Sequence, residues 1–363
     1  MESPDYVRLS IAADIALGFS NGRFKHNVKP YCINLLLHFN DGCKANCLYC
    51  GQAREISKGA TCKTLIRVEW PLRSLNEVIE RLREVQVNGC SLRPFRICVA
   101  SVTNRRAVKA EIEVIRRVYN ALRLPISALI SPTIFGLNSL KELRDSGTER
   151  IGIAIDCATR EIFDMLRGRE AQGPHSWDRY IEGIKEAVSI FGRGRVGIHL
   201  IVGLGETEME AVNLIQEAHD IGAETHLFSF YPEGDSILER WIRPPISQYR
   251  RVQLARYLIN NGFVRSSEMI FNSYGQIINF GVSSINIRRI IEFGEAFITS
   301  GCPGCTRPFA NERPGEQIRN YPYPPDNRES KKFMRQIETY IKPRNTLKTL
   351  KNYLKNRIKA AIE

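Results

Sequence analysis

Cys43, Cys47 and Cys50 stand in one short stretch, Phe39-Asn40-Asp41-Gly42-Cys43-Lys44-Ala45-Asn46-Cys47-Leu48-Tyr49-Cys50-Gly51. Thiolates are soft ligands, and C-x-x-x-C-x-x-C spacing lets one loop reach three corners of an iron–sulfur cubane while the fourth iron keeps no protein ligand. An open iron can bind a small molecule. Zinc sites usually pair one C-x-x-C with a second, so the triplet reads as an iron–sulfur site. A second thiol pair, Cys302-Pro303-Gly304-Cys305, lies far along the chain, and its Pro-Gly turn folds the two thiols toward one another. Three readings compete for it. A thioredoxin-like pair needs a helix N-terminus that Pro308 and Pro314 oppose, and a zinc half-site needs two further ligands. An auxiliary [4Fe-4S] cluster is the expectation carried forward, with Cys32 and Cys62 as candidate further ligands. Cys90, Cys98 and Cys157 sit in strands or turns where a small buried hydrophobe is the default.

These loops must be held by something rigid. Tyr31 to Phe39 is a near-continuous apolar run between Pro30 and Asn40-Asp41-Gly42, as expected of a parallel strand buried on both faces, so the cysteine loop leaves the C-terminal end of a strand. Helical spacing follows over Leu72 to Asn88, between Pro71 and Gly89. Strands over Phe95–Ala100, Ile126–Ile130, Arg150–Ile155, Val196–Val202 and Thr225–Phe230 then alternate with helical patterns. The alternation implies an α/β fold with a parallel sheet of roughly six units, short of the eight of a closed barrel. Reactive groups of β/α barrels gather where strands end. There stand Ser101-Val102-Thr103, then Asp156 and Cys157, then Gly203-Leu204-Gly205, then Phe228-Ser229-Phe230-Tyr231. Asp156 is an acid that either meets a ligand or caps the following helix. Gly203-Leu204-Gly205 is not a dinucleotide fingerprint, because Glu208 stands where the third glycine would be. The aromatic edge reads as core or as a cofactor wall. His38, His199 and His226 lie in apolar strands and read as hydrogen-bonded core residues.

The triplet, with an aromatic residue just before its last cysteine, resembles the radical S-adenosylmethionine (SAM) superfamily, and the six-unit count fits that family's open (β/α)6 partial TIM-like barrel. The resemblance implies that SAM chelates the open iron and is cleaved by an electron, from a donor such as ferredoxin, to a 5′-deoxyadenosyl radical. Tyr49 would then lie against the adenine, Ser101 and Thr103 would border SAM, Asp156 would meet its ribose or amine, and Gly203 and Gly205 would let backbone approach the adenosine. The run Ala100-Ser101-Val102-Thr103 is similar to the lipoyl synthase and biotin synthase branch. Cys32-Ile33-Asn34-Leu35-Leu36-Leu37, Gly51-Gln52-Ala53-Arg54, Gly301 to Pro308 and Asn311-Glu312-Arg313-Pro314 resemble a subunit of the archaeal-type two-component lipoyl synthases, over roughly residues 5 to 325. Arg265-Ser266-Ser267 is a short further match to bacterial lipoyl synthase. The implied activity is radical sulfur insertion into an octanoyl group on a carrier protein or peptide, together with a paralogous radical SAM subunit. A biotin-synthase-like enzyme acting on a small molecule is the alternative within this class. A non-catalytic iron–sulfur or zinc protein that binds an acidic partner is the alternative outside it.

The chain is basic, with 52 Lys and Arg against 39 Asp and Glu and a net charge of +13. From Lys331 to Glu363 there are ten basic residues and two Glu, so much of the excess sits in the tail, where Leu347, Leu350, Tyr353, Leu354 and Ile358 recur at helical spacing. A basic amphipathic helix is expected there. It has too few aromatics to read bases, so nucleic acid is not the expected partner. No apolar run approaches the roughly 20 residues that span a bilayer. Ten unevenly spaced cysteines do not form a secreted disulfide framework, so a cytoplasmic setting is expected. The expected organisation is an N-terminal helical segment over 1–30, the barrel over 31–245, a cysteine-containing extension over 246–325 and the tail over 326–363.

Overall fold

The computed structural model describes residues 1–24, 28, 30–55, 68–87, 96–307, 312 and 316–362. In chain order the elements that matter here are β1 (Tyr6–Leu9), α1 (Ile11–Ala16), β2 (Cys32–Leu37), β3 (Leu72–Ser74), α2 (Leu75–Val87), β4 (Arg96–Ala100), α3 (Ala107–Leu122), β5 (Ile126–Ile130), α4 (Leu137–Asp145), β6 (Thr148–Asp156), α5 (Arg160–Leu166), α6 (Trp177–Phe191), β7 (Val196–Val202), α7 (Glu208–Ile221) and β8 (Glu224–Ser229). Then come α8 (Ile246–Asn260), the short strands β9 (Ile270–Phe271) and β10 (Ile277–Asn279), α9 (Ser284–Phe293), α10 (Asn327–Ile337) and α11 (Leu347–Ile362). The main sheet runs β3-β1-β2-β4-β5-β6-β7-β8. Six of its strands, β2, β4, β5, β6, β7 and β8, pair in parallel in that order, and they are the six expected from the apolar runs.

Two expectations near the N-terminus change. The first 30 residues are not purely helical, because Tyr6–Leu9 joins the sheet antiparallel to β2. Leu72–Ser74, read as the start of a helix, instead pairs antiparallel with β1, and the helix begins at Leu75. Both strands are short, and their pairing partners lie far along the chain, which local periodicity does not register.

Alternate residues of the parallel strands face two different layers. Ile97 and Val99, Ile126 and Ala128, and Ile151, Ile153 and Ile155 pack under the surrounding helices and are all but fully buried. The residues between them, such as Cys98 and Ala100, Ser127 and Leu129, His199 and Ile201, and His226 and Phe228, line the lumen. Gly197 keeps the lumen open at His226, since a Cβ on it would come within 2.2 Å of that ring.

β8 is an edge strand, and the extension covers it. Its Leu227 amide donates to Ser300 Oγ at 2.7 Å and its Leu227 carbonyl accepts from Tyr249 on α8. Such covering satisfies the ladder groups that an edge strand leaves open. α8 carries Arg250 and Arg251, both fully buried. Arg250 donates to the carbonyls of Ile318 and Arg319, and Arg251 pairs with Glu208 at 2.7 Å while donating to the carbonyls of Ile337 and Thr339. A buried guanidinium needs its donors satisfied, so these two residues tie the extension and tail to the barrel.

The tail is two helices, not one, because residues 338–346, which include Pro343, interrupt it. The apolar face of α11 packs on the barrel rim. Leu350 is fully buried, Tyr353 Oη donates to the Ile237 carbonyl at 2.9 Å, and Arg357 pairs with Glu239 at 2.8 Å. Replacing Leu350 by Ala should therefore lower the unfolding free energy by about 2–5 kcal/mol, read from denaturant melts. An unchanged midpoint would mean that α11 is not docked.

Candidate functional site at the C-terminal end of the barrel

The loop after β2 is pinned by backbone bonds to three neighbours. The Lys44 amide donates to the Thr103 carbonyl at 2.7 Å, the Leu48 amide to Leu166 at 2.8 Å, and the Leu238 amide to the Leu48 carbonyl at 3.1 Å. Gly42 turns at φ 65°, where a side chain would be strained. Asp41 gathers Asn104, Lys44 and Arg106 at the outer edge of the loop. The result places Cys43, Cys47 and Cys50 on one wall of a cavity of about 250 Å³. Burial pushes the Cys47 thiol up to about 12 and raises Cys50 as well. Burial disfavours the bare thiolates even with Arg167 nearby, and three sulfurs on one wall are soft donors that bound iron would keep deprotonated. The donor set therefore fits a cubane with one open corner.

Across the cavity Tyr49 and Asp156 are joined, Tyr49 Oη donating to Asp156 Oδ2 at 2.6 Å. Arg167 Nη1 donates to the same oxygen at 2.7 Å, and Arg167 Nη2 to Tyr180 Oη at 2.9 Å. Asp156 does not cap the next helix. That role is filled by Thr159, whose side chain accepts from the Ile162 amide. With Oδ2 engaged, Oδ1 is the oxygen available to a ligand hydroxyl or ammonium. Ser101 and Thr103 also line this cavity, as do Phe228, Phe230 and Tyr231, so the aromatic edge is a cavity wall.

Gly203 and Gly205 depart from expectation. Both adopt positive φ, 112° and 117°, but what crowds them is protein. A Cβ on Gly203 would meet Pro244 at 2.6 Å, and one on Gly205 would meet Leu350 at 3.2 Å. Their loop is braced from within, since Glu206 accepts from the Gly203 and Leu204 amides at 2.5 and 2.8 Å. Close approach to the backbone is the right physical reading of these glycines, and its object is α11 and the 231–245 loop.

The second thiol pair lies deeper. Cys302 and Cys305 share a cavity of about 90 Å³ with Cys32, a candidate further ligand, and with Cys98, which sequence reasoning assigned to the core. Cys62 lies outside the described residues. The Cys305 amide donates to the Cys302 carbonyl at 2.9 Å across the Pro-Gly turn, with Gly304 at φ 77°. A hydrogen bond from the Cys32 thiol draws Cys305 down to about 7, helped by Arg307 and Arg96, whereas burial raises Cys98 and Cys302. Arg265-Ser266-Ser267 is on the outer surface, Arg265 pairing with Asp220 at 2.6 Å, and the serines that line this cavity are Ser127 and Ser300. The two cavities share Ala100, Leu129, His199 and Phe228 as a common wall. Burial holds His199 neutral, lowering it to about 4.

A partial barrel with a thiol triplet at the C-terminal end of its first parallel strand defines an iron–sulfur enzyme of the α/β barrel class. The sequence matches the radical SAM superfamily over residues 37–218, half of the chain, and the protein belongs to that superfamily. A [4Fe-4S] cluster and SAM are the cofactors the family implies. Biotin synthase of Persephonella marina is 22% identical over 197 residues, 53% of this chain and 52% of that protein. A probable GTP 3',8-cyclase of Pyrococcus abyssi is 25% identical over 193 residues, 52% of this chain and 54% of that protein. The chain thus spans about half the length of the curated relatives it matches. Among solved structures, HydG, a maturase of the [FeFe]-hydrogenase, is similar in fold with a TM-score of 0.51 at 14% identity, covering 69% of this chain and 54% of that one. Among the described residues no helix is long and apolar enough to cross a membrane.

Burial pushes the Glu206 carboxyl up to about 7. An unfolded glutamate titrates near ~4.3, so between there and neutrality the folded chain keeps a proton that the unfolded chain has lost, and stability falls as pH rises through that window. Glu206→Gln should abolish this part of the slope, measured as the difference between wild-type and variant unfolding free energies at about pH 5 and about pH 7.5. Parallel pH profiles would show that Glu206 titrates normally.

Proposed function

We propose that this protein inserts sulfur into an octanoyl group carried on a lysine of a partner protein, working with a paralogous radical SAM subunit to form the lipoyl group. The common wall of the two cysteine cavities carries this reading. Ala100, Leu129 and Phe228 are apolar and touch both chambers, so an aliphatic chain lying on them would face both thiol sets. When bound, the first cluster with SAM supplies a hydrogen-abstracting radical, as an unactivated methylene requires, and an auxiliary cluster supplies sulfide. Cys43, Cys47 and Cys50 would hold the first, and Cys302 and Cys305 with Cys32 and Cys98 the second. Tyr49, Asp156, Ser101 and Thr103 border the SAM side. Neutral His199 and the apolar wall keep water from the reacting carbon. The biotin synthase relatives favour a second reading, sulfur insertion into a small molecule.

Anaerobically loaded protein should hold roughly eight iron atoms per chain, for two cysteine-bound cubanes. With SAM and dithionite, Cys47→Ala should lose 5′-deoxyadenosine formation, whereas Cys302→Ala should keep it and lose sulfur transfer to an octanoylated carrier. Turnover of a free small molecule with none on the carrier, with and without the second subunit, would transfer the assignment to the second reading.

The tail supports a protein substrate. Because its apolar face is committed to the barrel, α11 turns Lys348 and Lys355 outward, beside the 231–245 loop that borders the cavity, while Lys351 pairs with Glu161. Carrier domains of this kind are commonly acidic, and opposite charges raise association rates at low salt. Lys348→Glu with Lys355→Glu should raise KM several-fold for an intact acidic carrier and leave a short octanoyl-lysine peptide unaffected. The difference should fade toward 1 M salt, where the Debye length is about 3 Å. Equal effects on carrier and peptide would remove the docking role.

A further inference from the structure

Four polar groups form a directed chain at the N-terminal end of the barrel, opposite the Cys43 loop. Ser127, on β5, is 2% exposed and presents its hydroxyl to the second cavity. Its oxygen lies 3.2 Å from Cys302 Sγ and accepts an N–H from Arg96 Nη1 at 3.0 Å. Arg96, 3% exposed, is held from behind by Glu149 Oε2 at 2.7 Å. A guanidinium only donates, so Arg96 occupies a lone pair of the serine oxygen and leaves the single hydroxyl proton to be directed elsewhere. The sulfur of Cys302 is the acceptor within reach. The half-exposed Glu149 carboxylate anchors the chain at the surface and keeps the guanidinium plane from turning.

We infer that Arg96 and Ser127 are positioning residues that aim a fixed hydroxyl donor at the Cys302 sulfur and so raise the reduction potential of the cluster held there. The inference rests on the proposed auxiliary cluster. A hydrogen bond to a ligating sulfur draws off negative charge, which favours the reduced, more negative cluster. In a buried site the effect is larger than it would be in water, because no solvent dipoles replace the lost donor. The donor also makes the four sulfurs unequal, since Cys302 is the one that the Ser127 hydroxyl faces.

The test uses full-length protein in which Cys43, Cys47 and Cys50 are replaced by Ala, so that any signal comes from the second site. After anaerobic loading, iron is counted and the midpoint potential is measured by EPR-monitored titration. Roughly four iron atoms per chain are expected with Ser127 intact. Ser127→Ala should bind the same iron at a lower midpoint, Ser127→Thr should stay near the parent because it keeps the hydroxyl, and Arg96→Lys should fall between them. An unchanged midpoint in loaded Ser127→Ala protein overturns the inference. Loss of the cluster in that variant, with fold retained by circular dichroism, also overturns it, because Ser127 would then be an iron ligand. If the protein with Ser127 intact binds no cluster, the auxiliary-cluster reading fails and takes this inference with it.

Discussion

The second cysteine site depends on one strap of chain, residues 298–307, being held against the open edge of the barrel. The Leu227 amide reaches out of β8 to Ser300 Oγ, and the Thr299 amide donates to the Tyr321 carbonyl, both at 2.7 Å. An edge strand has unpaired groups that water would otherwise satisfy, so the strap gains these bonds where the partial barrel has stopped closing. Arg250 secures the returning segment through the carbonyls of Ile318 and Arg319. Only then do Cys302 and Cys305 enter a cavity whose other thiols, Cys32 and Cys98, come from β2 and β4, far from the β8 edge.

The same incompleteness organises the first site. Six parallel strands leave a lumen wide enough for two chambers, and small inward residues keep it from filling. Gly152 and Gly197 could not carry a side chain without striking Leu129 and His226, at 2.9 and 2.2 Å. The strand ends then set depth. The loop after β2 holds its thiols at the C-terminal end, and the strap delivers the other pair nearer the N-terminal end. Ala100, Leu129, His199 and Phe228 separate the two sets by little more than one layer of side chains.

The electrostatics follow from burial. Cys47, Cys50, Cys98 and Cys302 are pushed toward the neutral form, whereas a thiol and two guanidiniums favour the charge of Cys305. Acids near the cavity are handled differently. Asp156 is paired with Arg167 and Tyr49, whereas Glu206 is sequestered against two backbone amides, away from the lumen. The basic tail combines both behaviours. One face of α11 is anchored by Leu350 and Tyr353, and the other leaves Lys348 and Lys355 exposed.

Much of this was legible from local pattern. The parallel strands announced themselves because strands buried on both faces are continuously apolar, and the cysteine triplet carried its chemistry because its three ligands lie on one loop. Close approach to the backbone at Gly203 and Gly205 was also readable, although its object was not, since the helix that packs there is more than a hundred residues downstream. The membership of Cys98 in the second site was hidden for a related reason. When both faces of a strand are apolar, nothing in the sequence says whether odd or even positions look into the lumen, and Cys98 differs from Ile97 only in that respect. β1 and β3 were missed because their partners are distant and their runs short. Local periodicity and spacing thus determined the barrel, the triplet and the basic tail. Which residues face one another across the lumen was decided by tertiary packing, through the parity of each strand and the path of the strap.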